Sequence, residues 1–209
     1  MSYRRRFEEL IDELKRCSAV RLSEASLGPP TEPGELARWR GVAGAAWPSG
    51  MSELYTELSS VDVAYTIDGG GSGAIHIPRL SGVWDHDALE DDLWFDWLEA
   101  DHPFHRLRPI DRFADEACAV LFPVPADREA SVAYHYCGET LVPTGLSYRA
   151  WLELLFRSRG VAYWLGLSLG PSSGRRTWVE EGIERMAALF PDFRPSSMSP
   201  PTPRTPIDV

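Results

Sequence analysis

Lysine is almost missing from this chain. Of 21 basic residues only Lys15 is a lysine. The remainder are arginines in a sequence also rich in Ala, Gly and Pro, which is the composition GC-rich codons produce, so the arginine excess reads as genome bias rather than as a recognition device. Cysteine is scarce as well. Cys17, Cys118 and Cys137 are odd in number and fit no C-x-x-C spacing, which points to a reduced, cytoplasmic interior. No apolar run reaches the roughly 18 residues that a membrane span requires. The basic start MSYRRRFEEL continues into EELIDELK instead of an apolar h-region, so no secretory signal is expected.

Positive charge is short overall. A formal balance of −10 argues against a nucleic-acid binder, whose affinity comes largely from neutralised phosphates. Signatures of catalysis are missing too, since neither H-E-x-x-H, H-x-H nor G-x-S-x-G occurs. His86, His102, His105 and His135, with Asp85, Asp87 and Asp101, are metal-ligand types, but the proline inside HPFH breaks the helical spacing a site there would need. His76 and His135 fall in predicted strands, where a half-buried structural role is expected. Cys137 shares a strand face with His135 in YHYCGE without a third partner, and reads as a small core residue. The expectation is a non-enzyme with no catalytic, cofactor-binding or metal-binding residues.

Apolar residues make up 44% of the chain and include eight tryptophans, enough for a sizeable core. Phe7, Leu10, Ile11 and Leu14 form a single stripe that predicts a helix over residues 3–17. SLGPPTEPG then breaks the chain. Further helices are predicted over 35–45 and from WPSG to about Leu58, with Ser49 or Ser52 as N-cap. From Val61 the period becomes two. VDVAYTI, GAIHIP, ACAVLFPV, SVAYHYC and TLVP are predicted strands, the last two joined by a tight turn at Gly138 and Glu139. Helix returns at Ser147 with Tyr148, Trp151, Leu152 and Leu155 on one side and Gly160 as its C-terminal stop. VAYWLGLSL fits either a short helix or a buried strand. A last helix over 176–190 carries Val179, Ile183, Met186 and Phe190. This order predicts an α+β fold: N-terminal helices, a central mixed or mostly antiparallel sheet, and C-terminal helices. Residues 1–193 form one domain, and the Pro/Ser-rich 194–209 a disordered tail.

The glycine run in VAYTIDGGGSGAIHI fits G-x-G-x-x-A from Gly69 to Ala74. A phosphate-cradling turn works by opening a helix, whose free N–H groups face the anion. AIHIPRL alternates, contains two isoleucines and meets Pro78 at once, so no helix starts there. The glycines are predicted to make a turn between two strands.

The most unusual stretch is DHDALEDDLWFDWLEAD, residues 85–101. Asp85, Asp87, Glu90, Asp91, Asp92, Asp96, Glu99 and Asp101 stand there without a Lys or Arg, interleaved with Leu89, Leu93, Trp94, Phe95, Trp97 and Leu98. One reading is a solvated face above a packed underside. The sharper one is a partner-binding surface in which the carboxylates steer a basic partner and Trp94 and Trp97 anchor it.

WPSGMSELYTELSSVDVAYTID is similar to the segment of the SUKH superfamily, Smi/Knr branch, where a proline-led helix precedes a turn and a strand. Pro48, Tyr55 and Tyr65 stand in the matching places, and Ser59 and Ser60 replace the usual Asn-Gly. FHRLRPIDRFADEACAVLFP, with Asp111 and Phe113, and YHYCGETLVPTGLSYRAWLELLFRSRGVAYW resemble later stretches of that branch, so the likeness covers about residues 35–165. It implies an α+β fold, usually without catalysis. It also implies either a bacterial immunity protein that neutralises a polymorphic or contact-dependent toxin by direct binding, or a cytosolic regulatory or scaffold domain that binds another cellular protein.

Overall fold

The apolar stripe near the start of the chain is helix α1, Tyr3–Arg16, in the computed structural model, which describes residues 1–85, 99, 101–122, 129–136, 140–167 and 177–194, without the side chains of 167 and 177–179. The Arg5 amide donates to Ser2 Oγ at 3.3 Å, while Lys15 and Arg16 complement the dipole in the last turn. Phe7, Leu10, Ile11 and Leu14 are buried, as predicted. Helix α5, Tyr148–Ser158, is capped the same way, with the Ala150 amide on Ser147 Oγ. The two helices meet through Phe7 and Phe156, whose rings lie 4.6 Å apart, and through Arg6, which stacks 3.9 Å over Phe156 while paired with Glu153. The left-handed residue that ends α5 is Arg159, at φ +54°, one position before the predicted Gly160. Such a conformation costs a non-glycine residue about 1–2 kcal/mol. Here the side chain is held by Glu13 at 2.9 Å and Asp192 at 2.8 Å, and it lies 4.6 Å over Phe190.

Among the described residues seven strands form two antiparallel sheets, and the fold is α+β. In the first, β1 (Val20–Leu27), β2 (Val61–Ile67) and β3 (Ser72–Ile77) pair in that order. In the second, β4 (Arg108–Ala114), β5 (Ala117–Phe122), β6 (Ser131–Tyr136) and β7 (Thr140–Leu146) do the same. One central sheet was expected; the division falls between β3 and β4. Pro109 has no N–H to give, and the register of β4 on β5 shifts on both sides of Asp111. Across the seam the side chain of Asp111 takes over from the backbone, its Oδ1 accepting from the His76 amide of β3 at 2.8 Å.

The glycine run is a turn between β2 and β3, with Gly69, Gly70 and Gly71 all at positive φ. Its outer face seats helix α7, Thr177–Leu189. A Cβ on Gly71 would lie 3.0 Å from Gly182 Cα, so backbone packs on backbone there. Of the alternatives for VAYWLGLSL, Trp164–Leu167 is a short helix, α6, and Val161 bridges Gly73.

Helices α2 (Pro33–Ala43, followed by the 3-10 turn Gly44–Ala46) and α3 (Met51–Tyr55) lie between β1 and β2, and α4 (Leu80–Trp84) follows β3. The start of α3 is Gly50 in the left-handed region, not a serine cap. Ser49 Oγ donates to Glu129 instead, and Ser52 Oγ accepts from the Trp47 indole. The Gly138–Glu139 turn, Cys137 and residues 195–209 of the tail lie outside the described residues. One apolar cluster runs from Tyr3 to Phe193 through both sheets. Phe104, Leu107, Cys118, Val120, Ala133 and Leu141 form a smaller one. Its presence means the second sheet is covered on both faces, which is why ACAVLF is continuously apolar. Among the described residues no helix is long and apolar enough to cross a membrane.

Candidate functional site

The acidic stretch is tethered by an aromatic residue at each end. Trp84, the last residue of α4, is 8% exposed, and Phe104, in the 3-10 turn Pro103–Arg106, is 2% exposed. Next to Phe104 the chain is fixed by short-range bonds. The His102 amide donates to Glu99 O at 2.8 Å, His105 Nε2 lies 3.1 Å from the same carbonyl, and His102 Nδ1 accepts from the Phe104 amide. Both histidines are thus occupied in shaping the turn. Of the ten residues proposed to bind a partner, Asp85 is half-buried and Glu99 and Asp101 are exposed. None of these three carboxylates forms an ion pair among the described residues. Asp87, Glu90, Asp91, Asp92, Trp94, Asp96 and Trp97, like His86, lie outside the described residues.

A string of polar groups crosses the first sheet and reaches the second. Ser26 of β1 faces Asp62 of β2, which faces His76 of β3. His76 Nδ1 lies 2.5 Å from Asp62 Oδ1, and the His76 amide donates to Asp111. The imidazole therefore serves Asp62, and Asp111 is reached only through the backbone, so these groups do not form a side-chain relay. Asp111 is fully buried and its Oδ2 has no partner among the described residues. Burial pushes its carboxyl up from 3.8 to about 7, against the pull of the His76 amide.

The second polar pair lies under the small cluster. Cys118 and His135 face each other across β5 and β6, with Sγ 3.9 Å from Nδ1, and the imidazole sits edge-on to Phe104 at 5.1 Å. The sequence placed Cys137 on the strand face of His135 and read it as a small core residue; the register brings Cys118 opposite His135. Burial raises the Cys118 thiol to about 12 and lowers the His135 imidazole to about 4, so both are neutral at pH 7. A thiolate–imidazolium pair needs the opposite shifts. Among the described residues no group of three or more His, Cys, Asp and Glu side chains is placed to hold a metal ion.

A third feature left no trace in the sequence. The end of α2, Trp84, the 103–106 turn and the β4–β5 pair enclose a cleft of about 260 Å³ whose charged lining is Arg106 and Arg108. Its residues come from five separate parts of the chain, so no local motif announces it.

These features define the class no more finely than an α+β domain. No family model, curated protein or solved structure matches the chain.

Proposed function

We propose that this chain is a non-catalytic protein-binding module, an immunity protein of SUKH type that neutralises a basic toxin domain by direct contact through residues 85–101. What supports this reading is the state of the acidic stretch. Its ends are pinned by Trp84 and Phe104, and its carboxylates Asp85, Glu99 and Asp101 meet no cation among the described residues. Like charges held together without counter-ions lose stability through mutual repulsion, and a basic partner relieves it while gaining electrostatic steering. The chain's balance of −10 acts in the same direction at longer range.

The test is co-expression. The neighbouring gene should poison cells, and this chain should rescue them. Changing Asp91, Asp92 and Asp96 to Lys should slow association by about tenfold or more at low salt, with a smaller effect at high salt. Truncating Trp94 or Trp97 to Ala should cost about 2 kcal/mol or more of affinity if the ring is an exposed anchor. Unchanged binding after the triple reversal would remove residues 85–101 as the interface.

A further inference from the structure

The cleft lined by Arg106 and Arg108 has walls of Val42, Ala43 and Ala46 on one side and Trp84 on another, with Leu121 and Ala130 completing it. Leu121 and Ala130 are almost fully buried, while Val42 is 61% exposed. The Ala130 amide donates to Ala46 O at 3.2 Å, which holds the end of α2 against the second sheet and fixes the shape. Trp84 stacks on Trp47 at 5.9 Å, and its indole N–H meets no acceptor although the residue is only 8% exposed.

Arg108 contrasts with two arginines of this chain that are held by carboxylates. Arg159 is buried and paired with Glu13 and Asp192, and Arg6 is partly buried and paired with Glu153. Arg108 is half-buried, donates only to the carbonyls of His105 and Leu107, and has no carboxylate within ion-pair distance among the described residues. Its pKa is lowered, with desolvation the sole cause, whereas the pairing of Arg159 raises that residue's pKa in spite of burial. Arg106 is exposed beside it and likewise lacks an acidic partner among the described residues. A cation drawn from water without a counter-ion is costly, and among the described residues no carboxylate lines this cleft.

We propose that the cleft binds a small apolar carboxylate, its two oxygens held by Arg106 and Arg108 and its hydrocarbon or aryl body packed between Val42, Ala46 and Trp84. A planar two-oxygen group matches the guanidinium fork. A phosphate brings a further charged oxygen that a two-oxygen match leaves over. The volume suits a body of about six to eight carbons, below the usual range for drug-sized ligands. The cleft shares Trp84 and the Pro103–Arg106 turn with the ends of the acidic stretch, and the proposal does not require that stretch to bind a partner.

The probe is benzoate, titrated calorimetrically into the full chain, with benzyl alcohol and inorganic phosphate as comparisons. Saturable binding is expected, with both comparison compounds weaker by about tenfold or more, because each lacks one half of the match. Arg106→Gln, at an exposed position, should weaken benzoate by a similar factor with an unchanged melting curve. Val42→Glu should abolish binding by placing an anion at the rim. Arg108→Lys keeps the charge and loses the fork, and should weaken benzoate more than it weakens phosphate. The proposal is overturned if benzoate does not saturate by about 10 mM, a weak-binding limit. It is equally overturned if benzyl alcohol or phosphate matches benzoate, or if Arg106→Gln and Val42→Glu both bind as the native chain does.

Discussion

Burial acts in opposite directions on Asp111 and His135, because one is charged after losing its proton and the other after gaining one. The folded carboxyl of Asp111 titrates at about 7, above its ordinary 3.8. It therefore contributes stability that is complete below about pH 4 and is lost as pH rises through about 7. The folded imidazole of His135 titrates at about 4, below its ordinary 6.5, so its contribution is complete above about pH 6.5 and is lost as pH falls through about 4. Between those limits the two slopes oppose each other. Asp111→Asn keeps the acceptor for the His76 amide and removes only the first slope. The variant should match the native chain at pH 4 and exceed it by about 2–4 kcal/mol at pH 8. Urea unfolding at a series of pH values measures this, and parallel curves for the two proteins would show that Asp111 is not the group that titrates. The sequence marked Asp111 only by its place before a strand. Its burial arises from β3 and β4 lying side by side, a juxtaposition that no local pattern encodes.

At the scale of elements, the contact between the β2–β3 turn and α7 is asymmetric, and this can be measured. Gly71 sits at φ +99°, and an added Cβ would press to 3.0 Å on Gly182 Cα, so Gly71→Ala meets strain and overlap together. At Gly182 the backbone is helical and the nearest atom to an added Cβ is 3.6 Å away, which is ordinary contact. Gly71→Ala should cost about 1–3 kcal/mol. Gly182→Ala should be neutral or gain up to about 1 kcal/mol from helix propensity. Melting curves of the two variants test the seat directly, and equal losses would mean that α7 does not pack there as described. Helices α1 and α5 and strands β2, β3, β5 and β6 were legible because each carries a clean apolar period or run. Strand β1 was not, since VRLSEASL exposes most of its length and bulges between Leu22 and Glu24, as edge strands that avoid pairing do. Strand β4 was hidden by Pro109 and its shifted register. The serine caps expected for α3 were displaced by a left-handed Gly50, whose conformation leaves no mark in composition. Of the candidate sites, the acidic stretch was visible as composition, whereas the arginine cleft exists only after distant segments have met.

Across the whole molecule, one apolar cluster joins both sheets and the helices on them. Tyr65 ties its ends together, since its hydroxyl donates to Arg159 O at 3.0 Å and lies 3.9 Å from the Met186 sulfur. Unfolding should therefore follow one transition, with far-ultraviolet circular dichroism and tryptophan fluorescence changing at the same urea concentration. Separate midpoints would show that the sheets melt independently and that the Asp111 seam is a boundary. The seat of α7 on the β2–β3 turn also bears on how the chain is made. Arg185, which donates to Asp68 O, lies 117 residues further along the sequence. On the ribosome, where synthesis proceeds at about 5–20 residues per second, the turn and Tyr65 emerge several seconds before the helix that covers them. For that interval the first sheet lacks α7 on the face the helix will occupy, and its polar, bulged β1 edge offers a neighbouring chain a poor strand to pair with.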